Sequence, residues 1–295
     1  MTQFKIRFAK KSDRETILNI CQNTWQDSED YIPLVWDKWL EDSRGKIFVV
    51  TTAAEDIPIA IRRVVLMSEN ESWWEGFRVH PNYRKYFLSI ISLVEKHINQ
   101  YLLENNISRS RSCVLVNNKV MNLFTAKRKK REIIDKYVFC NIQPIDSPIE
   151  KAIKLNSDDL DSILSLIEKY NPKQTNPIYI ARGAKWQELT KAGIINLIND
   201  ARFWGIKDNE QLLSIATITK RESSRNSFWI GYLNGEPATL STLLFEIRKI
   251  ADNLKCSTVG GYLPDRENII NSLNNAGYKI ISSQNVFVYQ WENQL

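Results

Sequence analysis

The chain has 295 residues, 43% of them hydrophobic and 25% charged, enough to bury one large core or two ordinary ones. No apolar run approaches the roughly 20 residues a membrane helix needs, and the opening MTQFKIRFAKKSD alternates apolar and basic residues instead of presenting a signal-peptide core. A folded cytoplasmic protein with no membrane partner is expected. The net charge of +6 lies entirely in the first half: residues 1–145 hold 23 Lys and Arg against 17 Asp and Glu, while the rest is balanced at 17 against 17, which points to an anionic ligand or partner for the first half.

The side-chain inventory excludes several chemistries. Cys21, Cys113, Cys140 and Cys256 form no CxxC pair, and His80 and His97 are the only histidines, so neither a metal site nor a disulfide framework is expected. No GxSxG motif marks a serine hydrolase.

In chain order, residues 4–9 alternate as a short strand, and Ser12-Asp13 reads as a helix N-cap before the amphipathic run Ile17, Ile20, Cys21 and Trp25. A second helix spans 31–40, then two strands, 46–52 and 58–67, flank a turn at Glu55-Asp56. A further strand, 72–79, runs through His80-Pro81 into a long helix over 82–103, and a strand at 112–116 precedes another helix and a strand at 137–142.

After Pro144 and Pro148, which mark a linker, much of this order returns. There is a strand at 152–155, a helix capped by Ser157-Asp158, a hairpin of 202–207 and 211–220, a strand at 226–233, a helix at 237–254 and a strand at 257–262. A helix at 266–276, ended by Gly277, and a strand at 283–291 complete the chain. The expectation is two copies of one α+β module, residues 1–145 and 146–295, each a mixed, mostly antiparallel twisted sheet flanked by helices.

Four stretches carry a resemblance: IRFAKKSDRETILNIC, WWEGFRVHPNYRKYFLS, VLVNNKVMNLF and LNNAGYKIISSQNVFVYQWE. They resemble the Gcn5-related N-acyltransferases, the GNAT superfamily. DYIPLVWDKWLED followed by EGFRVHPNYR is similar to tandem-domain members of the histidine N-acetyltransferase type. The resemblance implies acyl transfer from acetyl-CoA or another acyl-CoA to a primary amine of an amino acid, small amine or peptide. It implies that backbone groups of Phe77, Arg78 and Val79 meet the pantetheine. The pyrophosphate would meet the turn Arg84, Lys85, Tyr86, Phe87, Leu88 and Ser89, at the positive end of the next helix, with Asn117 completing the donor site.

Phe87 stands where that pattern has its first glycine, and Ser89 where it has a small last residue. Glu75 is the expected base. The usual tyrosine acid is Phe124 here, which leaves Cys113, Tyr83, Tyr86 or Tyr137 as substitutes, with Tyr137 the one retained as catalytic. The second half lacks the leading Arg of the phosphate turn, so it is expected to bind no CoA and to shape an acceptor pocket with Trp186, Trp204 and Trp229. The run Lys127 to Arg131 reads as a solvated helix end, or as a contact for an acidic acyl-carrier protein. It has no interleaved aromatics, so nucleic acid is not an expected partner. The alternative to an enzyme is a non-catalytic GNAT-fold protein that binds a ligand or another protein.

Overall fold

A computed structural model describes residues 3–22, 30–127, 131–171, 177–221 and 226–293. In chain order the elements are β1 (Phe4–Phe8), α1 (Arg14–Gln22), α2 (Ile32–Glu41), β2 (Gly45–Thr52), β3 (Pro58–Leu66), β4 (Glu71–Val79), α3 (Phe87–Glu104) and β5 (Arg109–Leu115). Then follow α4 (Lys119–Ala126), β6 (Glu132–Ile142), β7 (Ala152–Lys154), α5 (Leu160–Tyr170), β8 (Ile178–Ile180), β9 (Trp186–Glu188), α6 (Lys191–Asn199) and β10 (Phe203–Asp208). The chain ends with β11 (Gln211–Arg221), β12 (Ser227–Gly235), α7 (Pro237–Asn253), β13 (Thr258–Pro264), α8 (Glu267–Asn275), β14 (Lys279–Ile280) and β15 (Val286–Glu292).

Two compact units form, and the division is not one cut near residue 145. One unit takes Met1–Cys113, Lys130–Glu132 and Gln290–Leu295; the other takes Val114–Lys129 and Ile133–Tyr289. The helix α4 therefore counts with the second unit, and the last strand ends in the first. A linker rich in proline marks where local structure stops, but unit membership follows strand pairing, which brings the C-terminal residues back to the first sheet.

In the first unit the strand order is β1-β2-β3-β4-β5, antiparallel except for the parallel pair β4 and β5. The end of β15 joins it: Gln290 accepts from Arg111 at 2.8 Å and Glu292 from Arg109 at 2.9 Å. In the second unit the order is β7-β10-β11-β12-β13-β6, again antiparallel except for one parallel pair, β12 and β13. Each is the expected mixed, mostly antiparallel sheet with flanking helices.

The helices form where the apolar spacing is three and four. Ile17, Ile20 and Cys21 of α1 are buried, as are Ile90, Val94, Ile98 and Leu102 along one stripe of α3 and Leu240, Leu244 and Ile247 along α7. Each such side chain removed from water contributes about 1.5–3 kcal/mol. Trp25, placed on the α1 stripe from sequence, lies outside the described residues.

The first helix of each unit begins alike. Asp13 closes a capping box by accepting from the Lys10 amide at 2.7 Å, and Asp159 does the same with the Asn156 amide at 2.9 Å. The cap in the first unit is thus Lys10 and Asp13, not Ser12.

Candidate functional site

The site of the first unit begins with a slip in strand pairing. On β3, Ile61 pairs with Arg78 and Arg63 with Glu75, so Gly76 and Phe77 of β4 together oppose Arg62 alone. This is a β-bulge, which bends a strand and re-aims its side chains. Gly76 has φ +67°, and a Cβ there would sit 2.7 Å from the Trp39 ring, so both backbone conformation and close approach select glycine.

The bulge lies just beyond the end of the β4–β5 pairing. The parallel ladder covers only Glu71–Trp73 against Arg109–Arg111, after which the strands run on without register. Glu75 and Cys113 are the residues two positions past the last pair. An opened parallel pair leaves main-chain donors and acceptors facing a gap, a place for an extended ligand to bind as a strand would.

Glu75 does not stand alone in this gap. Its carboxylate accepts a short hydrogen bond from Arg63, whose other nitrogen donates to Asp42 at 2.7 Å and whose guanidinium stacks 4.8 Å from the Trp39 ring centre. Arg63 is 2% exposed. Two carboxylates thus share the Arg63 guanidinium, and Asp42 also lies 3.9 Å from Arg44.

Tyr31, a residue the sequence reading missed, completes the neighbourhood. Its ring meets Trp39 edge-on at 5.9 Å and lies under the Arg78 guanidinium at 5.6 Å. Enclosure of its hydroxyl, and after that the charge of Glu75, pushes its pKa up, with Cys113 also within electrostatic reach. The residue as a whole is 43% exposed. Nothing in a lone Tyr before a helix start announces this.

The expected donor-binding residues form one continuous stretch. Arg78 is turned inward: it donates to both oxygens of Asp30, at 2.5 and 3.0 Å, and to the Phe77 carbonyl at 2.9 Å. Only its main chain is left to offer a ligand along the strand. Val79 is buried, whereas Arg84, Lys85, Leu88 and Ser89 are exposed and Tyr86 is half-buried.

The turn itself explains the missing glycine. Residues Pro81–Tyr86 form a 3-10 helix, started by His80, whose Nδ1 accepts from the Asn82 amide at 3.2 Å. It runs directly into α3. Phe87 has φ −48° and ψ −46°, ordinary helical values, so no left-handed residue is needed. Its amide donates to the Arg84 carbonyl, and its ring packs edge-on against Phe77 at 5.8 Å. No side chain caps Tyr86 at the start of the 18-residue α3, and the positive end of that helix remains a place for an anion.

Two expected site residues lie in the second unit. Asn117 is exposed in the loop before α4, where Asn118 caps the helix by accepting from the Met121 amide at 3.1 Å. Tyr137 is 3% exposed and packs edge-on to Trp186 at 5.0 Å. Burial pushes its pKa up, so it holds its proton tightly. Around it Phe139, Tyr262 and Trp229 extend one aromatic cluster with ring centres 5.0–6.2 Å apart. Trp186 and Trp229 are thus packed in the unit's interior, and Trp204 lies under Lys154 at 5.6 Å.

In the basic run, Arg131 pairs with Glu95 at 2.9 Å and stacks on Trp291 at 4.3 Å and Trp74 at 5.6 Å. It is a packed residue, not part of a solvated helix end. Lys127 is exposed, and residues 128–130 lie outside the described residues. No group of acidic, cysteine or histidine side chains among the described residues is arranged to hold a metal.

Paired α+β units, each with one opened parallel strand pair followed by a helix, define the GNAT fold in tandem form. Across the whole chain the fold is similar to a GCN5-related N-acetyltransferase from Sphaerobacter thermophilus, at 12% identity and TM-score 0.64, covering 100% of this chain and 97% of that one. It is also similar to a tandem GNAT protein from the clavulanic acid biosynthesis pathway, at 9% identity and TM-score 0.57, covering 99% of both chains. N-myristoyltransferase of Saccharomyces cerevisiae, solved with bound myristoyl-CoA, matches at 10% identity and TM-score 0.54, covering 100% of this chain and 80% of that one. No protein-family model matches the sequence, and no curated protein does. Identities this low establish a shared fold, while function resides in the site built upon it.

Proposed function

We propose that the protein is an N-acyltransferase whose first unit moves an acyl group, acetyl by default, from an acyl-CoA to a primary amine of an amino acid, small amine or peptide. The observation that carries this reading is the pairing of Glu75 and Asp42 with the single guanidinium of Arg63 beside the bulge of β4. A carboxylate pair at an opened strand pair offers an amine its hydrogen-bond acceptors, and Glu75 then accepts the amine proton.

The amine nitrogen attacks the thioester carbonyl carbon and the C–S bond breaks. Glu75 takes the amine proton, directly or through water, and the departing thiolate takes one from an acid or from solvent. Tyr31 and Cys113 join Tyr137 as candidates for that acid. Main-chain groups of residues 77–79 and the start of α3, with Arg84 and Lys85, hold the donor; Asn117 belongs to the same reading. A long acyl chain is the variant reading, and an acidic acyl-carrier protein engaging Lys127 is the variant donor.

Calorimetric titration with acetyl-CoA, CoA and a long-chain acyl-CoA tests this, followed by thiol release in the presence of an amine panel. Micromolar binding at one site per chain and thiol release abolished by Glu75→Gln are the expected results. Absence of binding and turnover with every donor would reject it.

A second reading rests on the turn: the Phe87 amide is spent on Arg84 and its ring on Phe77, a departure from an open phosphate loop. Under it the first unit is a non-catalytic GNAT-fold protein that binds a ligand or another protein. Saturable binding without thiol release distinguishes it.

A further inference from the structure

Arg62, the residue of β3 that faces the bulge, has no counter-ion among the described residues. Its guanidinium lies between two rings of β4, 5.6 Å from the centre of Trp74 and 5.5 Å from that of Phe77. Its Nε is sealed from solvent with no acceptor, and among the described residues the side chain forms neither an ion pair nor a hydrogen bond. Its neighbours behave differently. Arg63 has Glu75 and Asp42, Arg78 has Asp30, and Arg111 has Glu71.

A second guanidinium approaches the same ring: Arg131 also lies 5.6 Å from Trp74. Between these two cations there is one carboxylate, Glu95, bound to Arg131 at 2.9 Å. Removal from water, and then repulsion by Arg131, lowers the Arg62 pKa to about 10, the direction expected of a cation that lacks its anion. Ring stacking offsets part of this cost, but the half-buried guanidinium still has unused donors.

The place is connected to the opened strand pair. Phe77, which covers Arg62, touches Phe87 at the first turn of α3, so the uncompensated cation and the positive helix end lie on either side of one pair of rings.

We propose that Arg62, with Arg131 beside it, forms a site for one oxyanion, a carboxylate or a phosphate, carried by the ligand of the first unit. The shared chemistry is a planar or tetrahedral group that accepts hydrogen bonds from a guanidinium. The two sources are the phosphates of a CoA donor and a carboxylate on the acyl group or the acceptor. The link to a ligand rests on the acyl-transfer reading, but the anion site is testable without any acyl donor.

The test titrates the full chain with inorganic pyrophosphate and, separately, with succinate, at constant ionic strength, in wild type, Arg62→Met and Glu95→Gln. Wild type binds at least one of the two saturably. Arg62→Met weakens that binding at least tenfold and, having lost a half-buried unpaired charge, melts no lower than wild type in anion-free buffer. Glu95→Gln frees Arg131 from its competing carboxylate and tightens the same binding several-fold, which keeps the proposal testable if Arg62→Met fails to fold. Loss of pyrophosphate binding alone assigns the site to the donor, and loss of succinate binding alone to an acyl or acceptor carboxylate. No binding of either anion to wild type, equal binding in wild type and Arg62→Met, or unchanged binding in Glu95→Gln would overturn it. Acyl transfer could then still stand, just as anion binding would survive a failure to transfer acyl groups.

Discussion

The two opened strand pairs of this molecule share a geometry and differ in what fills them. In the first unit the parallel ladder ends at Trp73 opposite Arg111, and in the second at Trp229 opposite Gly260, after three residue pairs in each. Two positions further along stands Glu75 in one and Gly231 in the other. A Cβ on Gly231 would lie 2.6 Å from the Ile180 carbonyl of β8, so main chain occupies the space that a side chain takes in the first unit. The aromatic cluster of Tyr137, Phe139, Trp186, Trp229 and Tyr262 fills the second unit further.

The helix starts differ as well. α3 follows a turn bearing exposed Arg84 and Lys85, whereas α7 is preceded by Glu236 and begins with Pro237, which has no N–H to donate. A carboxylate near a helix N-terminus repels a phosphate that the positive end would otherwise draw. One scaffold thus offers a charged gap in the first unit and a packed one in the second.

The largest effect that separates them is predicted at Gly76. Gly76→Val must adopt a positive φ and displace the Trp39 ring, costing about 2–5 kcal/mol from left-handed strain and overpacking together. Chemical denaturation that shows less than about 1 kcal/mol would mean that the bulge is not needed to hold β4.

Next comes Glu75→Gln, expected to lower acyl transfer by about 10²–10⁴ with donor affinity retained, since proton transfer and not binding is lost. Thiol-release kinetics beside calorimetry check it. A mutant with full turnover would make Glu75 a structural partner of Arg63.

The matched capping boxes give a smaller effect that is similar in both units. Asp13→Asn and Asp159→Asn should each cost about 0.5–2 kcal/mol. Burial works against each carboxylate's charge, but hydrogen bonds from Arg7 and Lys207, respectively, and from the capped amide outweigh it, and both pKa values fall below the usual aspartate value. With the folded pKa depressed, the stabilisation is fully present above about pH 4 and disappears as pH falls through the folded pKa. Melting curves of wild type and variants should therefore converge as the pH falls into the acid range, and a gap that does not narrow there would contradict the assignment.

The smallest effects are at the exposed turns. Arg84→Ala should weaken donor binding by about threefold to tenfold with stability within about 0.5 kcal/mol, and Glu236→Gln should leave donor binding unchanged. A reversed pattern would place the donor in the second unit.

Much of the scaffold was legible because its signals are local. The stripe of α3, the hairpin of β10 and β11 and the return of the same element order after residue 145 follow from spacing that neighbouring residues impose on one another. The short pieces β8, β9 and α6 escaped it: three-residue strands carry no period, and Tyr179 and Trp186 are held in place by partners distant in sequence.

The sequence by itself determined most of the helices and strands and the class of fold, since periodicity acts within a few residues. Only the tertiary structure decided that Phe87 needs no glycine, because a 3-10 turn replaces the loop, and that Arg131 packs on tryptophans instead of facing water. It also decided that Gly76 and Phe77 oppose one residue of β3, that Glu75 shares Arg63 with Asp42, and that Arg62 has no counter-ion among the described residues. Those are facts of strand register and charge convergence, set by residues that meet only when the sheet has formed.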